Sequence, residues 1–183
     1  MVRELLKRDP SLYFSVSAKT RAPRPGEEDG RHYRFMSEAE FGRMVDRGEF
    51  LEWAVMFGHR SGTPARPVEE ARLQGRDVIL EIDVQGAHQI RERAPDAVLI
   101  FLTPPSREEL LRRLHDRGTE RGADLKRRLE AIDLELEQAG WFHHVVVNDE
   151  VGRAAGEVAD IIDAYRSADA NARPPDPAED SRE

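Results

Sequence analysis

An α/β fold built on a parallel sheet is what this sequence predicts, and three observations carry the prediction. From Asp77 onward, apolar strand-like runs alternate with helical ones, the pattern of parallel strands joined by crossover helices. Ala97 to Leu102 (Ala-Val-Leu-Ile-Phe-Leu) is a continuous apolar run, as carried by strands covered on both faces. The chain has 183 residues, of which 39% are hydrophobic. That is enough for one domain with a core and too little for two.

The elements follow in order. Val2, Leu5 and Leu6 share a helical face in a short segment ending before Asp9-Pro10. Leu12 to Ser17 reads as a strand, rich in aromatic and β-branched residues. Ser37, with Glu40 three residues on, is a capping box opening a helix that stops near Gly48. Phe50 to Phe57 reads as a strand and Gly58 to Gly62 as a turn, with a helix from about Pro64 to Gly75. Asp77 to Ile82 is the next strand and Val84 to Arg93 the next helix; the apolar run 97–102 follows. Ser106 and Glu109 cap a helix over Arg107 to His115, and a second covers roughly Ala123 to Gln138. His143 to Val147 is the last strand and Val151 to Tyr165 the last helix. The domain therefore spans 1–166, and the Pro-, Asp- and Glu-rich residues 167–183 read as a disordered acidic tail.

Charge and composition exclude several classes. Net charge is −8, which disfavours a general nucleic-acid or membrane-surface binder. With no cysteine there are no disulfides and no thiolate metal sites, which fits a reducing compartment. No stretch has the length of a membrane-spanning helix and none reads as a signal peptide. The expectation is a cytoplasmic protein. The six histidines form no H-E-x-x-H or other ligand set, and no metal is assigned to the protein.

The richest chemistry lies in Ser15 to Phe35. Arg21 and Arg24 stand three apart in a loop stiffened by Pro23 and Pro25, with Ser17 before them and Tyr33 after. Paired guanidinium forks on a stiff loop suit a phosphate group. Taken alone, such a loop is also compatible with a solvated turn. Glu52, between Leu51 and Trp53, would by simple alternation point outward from its strand. The arginine-dense run from Arg112 through Arg128 would be a solvated helical face, and Asn148-Asp149 a helix cap.

These segments stand in a familiar order. The run 15–35, Gln85-Gly86 after Glu81-Ile82-Asp83, Pro104-Pro105-Ser106, Arg117-Gly118-Thr119 and Asn148-Asp149 together resemble the guanylate kinases over nearly the whole ordered chain. The resemblance implies a P-loop kinase-like fold with a GMP-binding part at about 17–83 and an arginine-rich lid at about 112–128. It implies transfer of the ATP γ-phosphoryl group to GMP or dGMP, with Mg2+ accompanying ATP. Small nucleotides are then the partners, with no nucleic acid and no membrane. By the same resemblance Glu52, Ser17 and Asp83 hold the guanine base, while Arg21, Arg24 and Tyr33 hold its phosphate. Ser61, Thr63 and Glu81 belong to the same substrate site, Arg117 and Arg128 close over the donor phosphates, and Asn148 lies near the adenine of ATP. Two departures stand out. Lys19 occupies a position where the family commonly has threonine, and Ser61 one where many members have a phosphate-contacting tyrosine.

No G-x-x-x-x-G-K-[ST] pattern occurs in the sequence. Met1 to Leu6 matches the interior of the family's first helix, so the resemblance implies a fold without its first strand, the phosphate loop and the lysine. Neighbours of a central strand so omitted would lack ladder partners. The expectation is a working protein that begins further upstream; the alternative is an inactive module that binds GMP or a protein.

Overall fold

The parallel strands form two separate pairs. In this computed structural model, which describes residues 1–56, 58–117 and 132–172, β1 (Tyr13–Phe14) runs parallel to β6 (Val78–Ile79). β7 (Ile100–Thr103) runs parallel to β8 (His144–Val147). Among the described residues no ladder joins the pairs, so the parallel strands of the expected α/β fold stand as two pairs rather than one continuous sheet. The strands are shorter than predicted for the same reason: β1 and β6 have ladder partners on one side only. A third sheet is mixed, in the order β3-β2-β5-β4, from β2 (Ala18–Lys19), β3 (Arg34–Phe35), β4 (Phe50–Met56) and β5 (His59–Pro64).

β5 corrects the turn predicted at Gly58 to Gly62. His-Arg-Ser-Gly-Thr-Pro has little intrinsic strand preference; pairing with β4 and β2 makes it a strand. Gly62 permits that pairing, because a Cβ there would lie 2.8 Å from both the Glu52 carbonyl oxygen and the Trp53 Cβ.

Helices cover the sheets where the pattern places them. α1 (Val2–Arg8) and α6 (Val151–Ala172) pack Leu5, Ala154, Ala155 and Val158 against Leu12 and Val146. α6 runs past Tyr165, against the expected disorder from 167, because the alanines at 168, 170 and 172 favour helix. α2 (Glu38–Asp46) starts at Ser37, whose hydroxyl accepts from Glu40 N at 3.2 Å. α2 seats Phe41 in face-to-face contact with Phe50, centroids 4.3 Å apart. α3 (Ala65–Leu73) follows β5, and α4 (Val84–Arg93) packs Ala87 and Ile90 on Leu99. α5 (Arg107–Arg117) is capped by Ser106. Of the helix predicted over 123–138, residues 132–137 are helical and the earlier part lies outside the described residues, as does Phe57. Among the described residues no helix is long and apolar enough to cross a membrane.

Candidate functional site

Among the described residues four polar side chains are buried: Ser15, Ser17, Glu52 and Thr63. Glu52 is 4% exposed; β4 turns it to the covered face with Phe50 and Ala54, so the outward orientation read from alternation is corrected. Alternation itself holds, since Phe50, Glu52 and Ala54 share one face; that face is the covered one, and a register shift between Phe50 and Glu52 sets Glu52 opposite Thr63 on β5. Thr63 Oγ1 donates to Glu52 Oε1 at 2.6 Å. The other oxygen, Oε2, packs on the first turn of α4, where an added Cβ at Gly86 would lie 2.5 Å from it. Burial raises the Glu52 pKa, the Thr63 hydrogen bond opposes the rise, and Asp83 adds to it. Asp83 is the N-cap of α4 and accepts from Gly86 N at 2.7 Å. Ser17, 7% exposed, lies between β1 and β2 and accepts Arg34 N through its carbonyl.

A cationic group of side chains lies beside Glu52, whose carboxylate feels the Lys19 charge. Arg21 donates both guanidinium nitrogens to Glu27, at 2.6 and 2.7 Å, and Arg24 donates its backbone N to the same carboxylate at 2.8 Å. The Arg21 hydrogen bonds hold Glu27 down at about 2. The Arg24 side chain is exposed and makes no ion pair among the described residues. Tyr33 is half-buried, with the Arg21 guanidinium 5.3 Å and the Lys19 ammonium 4.5 Å from its ring centroid. Lys19 Nζ donates to Ser61 Oγ at 3.2 Å. Charges at Glu81 act on both Lys19 and Tyr33. Ser17, Arg21, Tyr33, Glu52, Ser61, Thr63, Glu81 and Asp83 thus lie on the mixed sheet, its loops and the segment entering α4.

The remaining residues fall elsewhere. Asn148 closes a cavity of about 160 Å³ at the ends of β7 and β8, lined also by Leu102, Thr103, Pro104, Leu110, Arg113 and Leu114. Its Oδ1 is buried without a partner. Arg113 bonds the carbonyls of Asn148 and Asp149, at 2.8 and 3.2 Å, and so holds α5 to that loop. A larger cleft, about 350 Å³ between α1 and α6, is lined by none of the residues named for the site. Arg117 is the last residue of α5; its side chain and the whole of Arg128 lie outside the described residues.

Three contributors were missed from sequence. Glu27 fixes Arg21, Gly86 makes room for Glu52, and Gln89 exchanges two hydrogen bonds with the Trp53 backbone, at 3.2 and 2.8 Å. Only Gly86 carried a signal, being a glycine in a helix interior where alanine is the better helix former.

Comparison with known proteins gives a consistent result. The family model described as guanylate kinase matches residues 1–165. The guanylate kinase of Nocardia farcinica (strain IFM 10152) is 51% identical over 164 residues, covering 88% of this chain and 85% of that one. That of Mycobacterium sp. (strain MCS) is 47% identical over 173 residues, covering 93% and 87%. The crystal structure of guanylate kinase from Anaplasma phagocytophilum superposes with a TM-score of 0.76 at 33% identity, covering 90% of this chain and 79% of that one.

Proposed function

The chain belongs to the guanylate kinase family, and on that premise we propose that Glu52 and the Arg21–Tyr33 loop form the two ends of a GMP site in an ATP-dependent enzyme. Guanine presents N1–H and the exocyclic amine as adjacent donors, and one carboxylate accepts both. Adenine offers no such pair, and its ring N1 would face the carboxylate as a second acceptor. Glu52 is fixed for this task by Thr63 and by the close approach of Gly86, with Ser17 and Asp83 completing the base pocket. The guanine donors favour the ionised carboxylate and so offset the burial that disfavours it.

Arg21, Arg24 and Tyr33 take the 5′-phosphate, with Ser61 and Glu81 at its margin. Arg21 reaches this work already aimed, since Glu27 uses part of its fork and leaves further N–H donors. GMP and dGMP both satisfy these contacts. The Asn148 cavity takes the adenine of ATP, whose amino group would pair the unsatisfied Oδ1. Arg117 and Arg128 then close on the donor phosphates; phosphoryl transfer asks chiefly for such positioning and charge stabilisation. The Mg2+ that the family uses with ATP would be held largely by the ATP phosphates and water, where it would neutralise developing charge, and no step above depends on it.

The observation that carries this reading is a carboxylate 4% exposed and held by Thr63. Calorimetry with GMP and AMP tests it. GMP binds, AMP does not, and Glu52→Gln weakens GMP by about a hundredfold or more, as expected when a polar base pocket is mismatched. Equal affinity for AMP, or no heat with GMP, overturns it. GMP binding without GMP-dependent ADP formation would instead favour the binding module.

A further inference from the structure

We propose that Lys19 is a direct ligand of the acceptor phosphate, a third cation held on a strand rather than on the loop. The inference rests on the GMP reading above and adds a residue to it. Lys19 ends β2 and stands opposite Ser61 in the β2–β5 register, so backbone pairing on both sides fixes where its side chain begins. Its ammonium is half-buried, donates one hydrogen bond to Ser61 Oγ at 3.2 Å and sits 4.5 Å over the Tyr33 ring. Among the described residues no carboxylate lies within ion-pair distance of it.

That environment is electrostatically incomplete. An ammonium has three donors, and a hydroxyl and a ring face satisfy them poorly. Removing such a charge from water without a counter-ion is costly. Burial pushes the Lys19 pKa down and the positive charge of Arg21 adds to it, with Glu81, Glu27 and Asp83 opposing only at longer range. Arg21 has its own carboxylate in Glu27 at 2.6 Å. Lys19 has none. A dianionic phosphate beside the ammonium supplies the missing counter-charge and leaves Ser61 as a shared neighbour. The lysine thereby takes up a contact that a small side chain at position 61 is too short to make.

The test separates phosphate from base. Calorimetry compares GMP with guanosine on the full chain and on Lys19→Met and Lys19→Arg. Expected is an unchanged guanosine affinity in Lys19→Met, a GMP affinity about ten- to a hundredfold weaker, as for a lost charge-assisted hydrogen bond, and substantial recovery in Lys19→Arg. Unchanged GMP affinity in Lys19→Met, or equal loss of GMP and guanosine, overturns the proposal. Should Lys19→Met fail to fold, Lys19→Thr repeats the comparison with the hydroxyl that position tolerates. Wild-type protein that binds guanosine with no gain from the phosphate also overturns it. Wild-type protein that binds neither overturns the GMP reading itself, so the two failures are distinct.

Discussion

Glu52 is held between two demands: burial favours its neutral form, while a base with two N–H donors needs it ionised. Thr63 tips the balance towards ionisation through a 2.6 Å hydrogen bond. Thr63→Val removes that bond and raises the Glu52 pKa further. GMP affinity should then fall about tenfold, and the deficit should grow as pH is lowered, because the variant protonates its carboxylate at a higher pH than the parent does. A deficit independent of pH between 5 and 8, followed by titration calorimetry, would assign Thr63 a purely steric role. Gly86 separates binding from stability. Alanine there gains about 1 kcal/mol of helix propensity but sets a methyl 2.5 Å from Glu52 Oε2, so the carboxylate must move. Gly86→Ala should lose GMP affinity at least tenfold, while its melting temperature changes by a few degrees at most.

At the scale of elements, what holds the carboxylate-bearing strand is a helix. Gln89 on α4 donates to Trp53 O at 2.8 Å and accepts from Trp53 N at 3.2 Å, doing for β4 what a neighbouring strand would do. Gln89→Leu strips both bonds from a half-buried backbone pair and should cost about 1–3 kcal/mol in urea unfolding. Because the released backbone is one residue from Glu52, GMP affinity should fall with it; unaltered affinity would show that β4 keeps its shape through β5 alone. The local elements were legible where local chemistry decides them. Ser37 and Ser106 cap the helices that their spacing with Glu40 and Glu109 indicates, and 100–103 and 144–147 are strands as their apolar runs require. β5 was not legible, since the strand at His59–Pro64 exists only through pairing with β4 and β2. Nor was the inward turn of Glu52, because alternation puts Phe50, Glu52 and Ala54 on one face without saying which face the fold covers. The site's residue types were readable only through the family pattern, and the contacts of Glu27, Gln89 and Lys19 not at all, because each depends on a partner brought close by folding.

Across the whole molecule, the two ends of the chain are clasped by one guanidinium. Arg166 on α6 meets Asp9 after α1 at 2.7 Å, Asp77 before β6 at 2.6 Å and Asp163 on its own helix at 3.2 Å, at the rim of the cleft between α1 and α6. Asp9 is held at about 2 by hydrogen bonds from Ser11 and Arg166, well below its ordinary 3.8. A carboxylate depressed in this way contributes stability that is full above about pH 4 and is lost as pH falls through about 2. Arg166→Met keeps an aliphatic stem at the cleft that Leu5 and Ile162 also line but removes the charge. Since the cluster is partly exposed, water screens it, and the expected loss near neutral pH is about 1–2 kcal/mol for the network. The gap between parent and variant should then narrow as pH drops from 4 towards 2, because protonated Asp9 gains nothing from Arg166. Glu27, depressed into the same range by Arg21, is untouched by the substitution and lowers both proteins alike. Urea unfolding at neutral pH and at pH 2.5 reads the difference directly: a gap of equal size at both values would place the contribution of Arg166 in its packing, with the Asp9 pair contributing nothing.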